Sequence, residues 1–352
     1  MRDRLLAAAG MAALISLAAC ATPADRPGQG ARVFAALETP SVGTRNADAA
    51  DDPAIWSGPE TTLNGRRVTG FVAGTDKKAG LYIYGPEGAI LQFLPDGLLN
   101  NVDVATLPGA SGEVVLGASD RTPGRAGVAL FRFDPVAGGA VARWGSLPLD
   151  LDEPYGFCMR PWRGELHAFV VGKDGQVRQL VISSGPDGQP RGREVRRFAV
   201  GSISEGCAID ADNAALYLNE EGVGVWRYGL DPASGDARTR VQAVDGERLT
   251  ADVEGAAILS NGAGSWLIAS SQGDSAFAVW RIGAGDPVWV GRFAVHAGPG
   301  GDEVTGTDGL DAHGGPFGAF PEGVVVVQDD INDGGQNFKY IDWRDIRRAL
   351  AF

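Results

Sequence analysis

Basic residues are in deficit: 31 Lys+Arg face 44 Asp+Glu, a formal charge of −13 over 352 residues. That deficit argues against a nucleic-acid surface, which needs basic stripes along its phosphate contacts. Three histidines leave little room for chemistry built on several imidazoles. Beyond the first twenty residues no run approaches 18 apolar residues, the length at which a membrane-spanning helix becomes the reading. Three cysteines are too few for a disulfide-built scaffold. What is abundant is glycine, 52 residues, roughly twice the average usage. Glycine at that density, with few runs of strong helix formers, points to a turn-rich β protein large enough to bury a full core.

The N-terminus reads as a processing segment. Arg2 and Arg4 precede an apolar stretch from Leu5 to Leu17, too short to span a bilayer. It ends Leu17-Ala18-Ala19-Cys20, which resembles a bacterial lipobox. The expectation is a signal peptide over 1–19, a lipidated Cys20 with a polar tether over 20–30, and a single domain over 31–352. Ala21 fits the outer-membrane type of envelope lipoprotein, and ordinary cleavage to a soluble periplasmic or secreted protein is the alternative. An exported compartment permits a Cys158–Cys207 disulfide. Two buried free thiols in strands are at least as good a reading.

The body repeats. An apolar strand ending in a polar turn recurs as Phe71–Asp76, Val114–Asp120, Phe169–Asp174, Leu216–Glu220, Leu267–Gln272 and Val324–Asp329. Ahead of each lies a strand opening with an acid: Asp52, Asp103, Glu153, Glu205, Glu254 and Asp308, spaced 49 to 54 residues apart. Six copies of a four-strand unit predict an all-β fold, a six-bladed β-propeller of mostly four-stranded antiparallel blades. Arg32–Leu37 is expected to close the last blade, and Asp345–Phe352 to form a short terminal helix.

In such a ring every innermost strand starts at the same mouth of the central channel, so the six acids are expected to face one another there. Crowded carboxylates repel and raise one another's pKa unless cations intervene. Calcium, which takes six to eight oxygen ligands in loose geometry, suits them; zinc does not, since nitrogen and sulfur donors are scarce. Lys77, Lys78, Arg121 and Lys173 stand beside the polar turns of three consecutive repeats. Metal alternating with Lys and Arg suits a highly phosphorylated ligand.

These residues carry a family resemblance. Asp48-Ala49-Ala50-Asp51-Asp52-Pro53-Ala54-Ile55-Trp56 with Asn100-Asn101-Val102-Asp103 resembles the paired signature of β-propeller phytases. The likeness continues through Thr75-Asp76-Lys77-Lys78, Ser119-Asp120-Arg121, Tyr155-Gly156-Phe157 and Gly172-Lys173-Asp174. It then takes in Ser204-Glu205-Gly206, Asp252-Val253-Glu254-Gly255, Thr307-Asp308-Gly309-Leu310-Asp311 and Gln336-Asn337-Phe338-Lys339, in order across roughly residues 35–350. The resemblance implies calcium-dependent hydrolysis of phytate, myo-inositol hexakisphosphate, with several structural and catalytic Ca²⁺ ions. By motif, Lys77, Arg121, Tyr155 and Lys173 would contact phosphate. Asp52, Glu205, Glu221, Asp252, Glu254 and Asp308 would hold the site calciums. Asp51, Asn100, Asp311, Asp329 and Asn332 would serve structural ones. The loop after Asp329 is shorter than in some relatives, which puts its individual ligands in doubt.

No Arg-His-Gly segment offers a phosphohistidine nucleophile and no Cys-x5-Arg loop a thiolate. Attack by a metal-activated water is therefore expected, with Glu205 positioning or deprotonating it and Arg121 and Lys77 stabilising the transferring charge. Two other classes remain open here. A propeller lactonase or other phosphoesterase needs one metal and few acids, without the flanking bases. A non-enzymatic envelope binding propeller would show apolar patches on the loop face. A monomer, with no nucleic-acid partner and membrane contact only through Cys20, is the plain expectation.

Overall fold

Short runs of buried, largely β-branched and aromatic side chains, bounded every few residues by glycine or a polar turn, make strands here rather than helices. The computed structural model describes residues 27–352 apart from 46–47, 110–111 and 333; the signal-peptide and Cys20 readings lie outside the described residues. The strands form six sheets, each with its earliest blade strand innermost, and the expected six-bladed propeller is what the chain builds. The inner strands are Ala50–Leu63, Leu99–Thr106, Pro154–Trp162, Ser204–Asp210, Val253–Asn261 and Leu310–His313, for blades one to six in order.

Blades stand on edge, so each buries its two faces against its neighbours. The core accordingly falls into six apolar clusters, one per neighbouring pair. Phe71 of blade one meets Phe131 and Phe133 of blade two, and Tyr84 of blade one meets Phe338 and Tyr340 of blade six. Each fully buried aromatic contributes on the order of 1.5–3 kcal/mol, and the same surface that stabilises also fixes the angle between blades.

Ring closure differs from the expected form. Only Leu37–Glu38 becomes the outer strand of blade six, pairing antiparallel with Tyr340 and Lys339. Ala31–Phe34 instead runs parallel to Phe293–His296, as a fifth strand on blade five. Val33 has its buried face on the blade-five core while Ala35 and Ala36 carry the chain across the gap, so one short segment latches two blades. Pro27–Gly30, read as tether, already touches the body: Gly28 N donates to Ser275 O. The terminal helix spans Trp343–Leu350, opening with Asp342, whose side chain accepts from Arg344 N, and its Trp343 and Ile346 pack under blades five and six.

Cys158 and Cys207 form a disulfide between the inner strands of blades three and four, so the free-thiol reading is overturned. The physical reason is register: the cysteines are 49 residues apart, one repeat, and both sit just below the mouth with Cα atoms 5.6 Å apart.

Candidate active site

Five of the six inner strands carry a β-bulge at the mouth end, at 51–52, 100–101, 155, 205–206 and 254–255. A bulge re-aims the side chain at that point. Equivalence between blades is set by a recurring hydrogen bond, in which the amide after the second strand reaches back to the inner strand. Lys77, Arg121, Lys173, Glu221 and Gln272 donate to the carbonyls of Ala49, Leu98, Glu153, Ile203 and Asp252. Two residues beyond each acceptor stands the ring member: Asp51, Asn100, Tyr155, Glu205 and Glu254. Asp308 completes the ring, its carbonyl taking Gly255 N while Gly309 N donates to Asp51 O.

The ring is therefore four carboxylates, one amide and one phenol, which corrects the expected circle of six acids. Asp52 lies one step past the ring, its carboxylate accepting from Val102 N of blade two at 3.0 Å. Asp103 lies deeper, accepting from Met159 N of blade three at 2.6 Å. Asp311, like Asp103 three residues past its ring position, accepts from Ile55 N of blade one at 2.7 Å. These three acids staple neighbouring inner strands to each other. Glu153 sits on the rim above Tyr155. After the ring residue, blades three to six carry glycine because a Cβ at Gly156, Gly206 or Gly255 would overlap the carbonyl of the next blade's ring residue.

A second tier stands above the ring at equivalent rim positions: Lys77, Arg121 and Lys173 on blades one to three, then Glu221, Gln272 and Asp330 on blades four to six. The mouth is thus divided into a basic and an acidic half. In the basic half, Lys77 Nζ reaches Asp308 Oδ2 at 2.8 Å, Asp51 Oδ1 at 2.9 Å and Asp48 Oδ1 at 2.8 Å. Burial works against this ammonium, but those carboxylates outweigh it and hold its pKa well above the ordinary lysine value. Lys173 Nζ stands 5.1 Å from the centre of the Tyr155 ring. Lys78 is exposed, its amide donating to Asp76 Oδ1 at 3.1 Å.

In the acidic half, Glu205, Glu221 and Glu254 each bring a carboxylate oxygen within 4.8 Å of the others. Burial, with the Asp51 charge added, pushes Glu205 up to about 7. Burial and Asp252 do the same to Glu221, again to about 7. Glu254 and Asp308 are driven well above the usual carboxylate range by burial, Glu254 further by the Glu205 and Glu221 charges. Asp252, on the rim of blade five, is raised by burial. Four buried oxygens of this cluster, Asp51 Oδ2, Asn100 Oδ1, Glu221 Oε1 and Glu254 Oε2, have no hydrogen-bond partner. Unpartnered buried acceptors are costly, and a set made only of oxygen fits a hard divalent cation.

The last two ligands read from the sequence lie elsewhere. Asp329 is fully buried with its Oδ2 2.8 Å from Lys339 Nζ, which also pairs with Asp302; Asn332 bonds within its own loop to Gly335 O. A lysine thus supplies the positive charge beside Asp329. Sequence reasoning missed Gln272, whose amide donates to Asp308 Oδ1 at 2.6 Å, and Asp330. Both ended or followed a recurring polar turn, which was the signal available.

A six-bladed propeller whose channel mouth sets a buried carboxylate cluster against three bases has the groups to hold a cation and an anion side by side. A family model for phytase matches residues 2–351. The 3-phytase of Bacillus subtilis (strain 168) is 33% identical over 335 residues, covering 91% of this chain and 86% of that one. A solved structure assigned as an exo-beta-1,3-galactanase from Bifidobacterium bifidum s17 shares 13% identity at a TM-score of 0.50, over 75% of this chain and 96% of that one, a likeness of fold alone. The chain belongs to the phytase family and is a phytase.

Proposed function

We propose that this enzyme hydrolyses phosphomonoesters of phytate, releasing inorganic phosphate and lower inositol phosphates, with calcium as the ion of the acidic half. The observation that carries the reading is the divided mouth: Lys77, Arg121 and Lys173 occupy the positions that Glu221, Gln272 and Asp330 occupy across the channel. A substrate with several phosphates around one ring can engage the acidic half and all three bases at once. Calcium held by Asp51, Glu205, Glu221, Glu254 and Asp308, with Asp252 at the rim, would neutralise phosphoryl oxygens and acidify water.

The chain's own groups then divide the work. Lys77, fixed by three carboxylates, presents a charge that does not titrate near neutral pH to the transferring phosphoryl group. Arg121 and Lys173 hold a neighbouring phosphate, Arg121 through the parallel donors of its guanidinium. Burial keeps the Tyr155 phenol protonated far above the ordinary tyrosine value, so it donates a hydrogen bond rather than repelling phosphate. Glu205, held by the Asn100 amide beside the cation-binding carboxylates, is placed to orient attacking water and take its proton. The resemblance to the 3-phytase supports the 3-phosphate as the one attacked. The lipobox-like segment supports export and anchoring through Cys20 at the cell envelope, on its outer membrane. Phosphate release from phytate, measured with calcium and then with a chelator, tests the reading; no release with calcium present would sink it.

A further inference from the structure

The cations of the basic half are not bare. Glu153 Oε1 lies 3.2 Å from Arg121 Nη1 and 3.7 Å from Lys173 Nζ, so one carboxylate oxygen serves both. It does so at the edge of a cavity of about 370 Å³ that Lys77, Tyr155 and Leu98 also line. An anionic oxygen held by an arginine and a lysine above an aromatic ring is what a bound phosphate oxygen would be. The side chain belongs to no core: it is 41% exposed, against 16% for Arg121 and 44% for Lys173. Its backbone, by contrast, is pinned. Lys173 N donates to Glu153 O at 3.0 Å, and Pro154 restricts the next torsion. The carboxylate can therefore leave and return by side-chain rotation alone, with no loop movement. Half-exposed ion pairs of this kind are weak, so leaving is cheap but not free.

We propose that Glu153 is a specificity-determining residue: an internal counter-ion seated where a substrate phosphate binds, which that phosphate must displace from Arg121 and Lys173. The inference rests on the phosphate-binding reading of the mouth. A lone phosphate, including the released product, must break both ion pairs and gains only the contacts that it takes over. A phosphate on a molecule already gripped at Lys77 and the acidic half arrives at high effective concentration and displaces Glu153 readily. Glu153 thus sets the mouth against single phosphates and in favour of polyphosphorylated rings.

Binding of inorganic phosphate to the full purified chain, without added divalent cation, is measured by calorimetry for the native protein, Glu153→Gln and Glu153→Asp. Removing the charge is expected to tighten phosphate binding about 3- to 10-fold, the scale of two exposed ion pairs. Glu153→Asp, which keeps the charge, is expected to stay nearer the native value. With turnover, inhibition of phytate hydrolysis by added inorganic phosphate is expected to strengthen in Glu153→Gln. Unchanged or weaker phosphate binding in Glu153→Gln overturns the proposal, as does equal tightening in Glu153→Asp. The calorimetric arm needs no catalysis, so absence of phytate hydrolysis would strike the proposed function and leave the Glu153 result separately readable.

Discussion

Asn100 Nδ2 donates to Glu205 Oε1 at 2.6 Å, joining ring positions of blades two and four across the Tyr155 blade between them. The bond orients Glu205, whose carboxyl also hydrogen-bonds that of Glu254. Asn100→Ala is expected to remove about 1–3 kcal/mol of stability and to lower kcat, by leaving a buried carboxylate oxygen without its donor. Asn100→Asp is expected to move the pH midpoint of turnover upward, since a like charge beside Glu205 raises its pKa further. Denaturant unfolding and pH–rate profiles check both.

Glu205→Gln keeps size and removes the proton acceptor. Turnover of phytate is expected to fall by about 10²–10⁴, the span of general-base contributions, with a smaller change in KM. Steady-state kinetics at saturating calcium decide it, and full turnover there would mean that Glu205 has another role.

Cation-free protein is expected to lose stability as pH rises from about 4.5 to about 7. Glu205 and Glu221 titrate at about 7 when folded against an ordinary value of 4.5, so within that window the folded chain holds protons that the unfolded chain has released. Raising the pH strips those protons and leaves repelling buried charges. Calcium replaces the protons, so the stabilisation that it confers is expected to grow over the same window. Thermal unfolding from pH 5 to 8, in chelator and in calcium, reads the two slopes; a rising slope in chelator would contradict the account.

Reduction of the Cys158–Cys207 disulfide, or Cys158→Ser with Cys207→Ser, is expected to cost about 2–4 kcal/mol through the freedom returned to the unfolded chain. Denaturant midpoints with and without reductant measure it.

Blade number was readable from sequence because a repeat near fifty residues survives any local irregularity. Register was not. Asp52, Asp103 and Glu153 hold the spacing, yet the ring passes through Asp51, Asn100 and Tyr155, because each bulge moves the channel-facing residue by a step that spacing does not encode. Two ring members are not acids at all, so a search for recurring carboxylates slides to the nearest Asp or Glu. The bases were found at their true positions because each directly follows a second strand, where the turn is short and uniform. Arg32–Leu37 reads as one strand since nothing in its composition marks the break at Ala35 and Ala36, which only the gap between blades imposes.

The latch at the chain's beginning also sets an order of events. Leu37 and Glu38 pair with Tyr340 and Lys339, partners made some three hundred residues later, so the circle stays open until those residues are made. Until then blade six lacks its outer strand, leaving an unpaired edge that invites association with other chains. Contacts of such long sequence separation form slowly. Closure thus joins segments some three hundred residues apart, and a chain broken off short of Lys339 would leave Leu37 and Glu38 nothing to pair with.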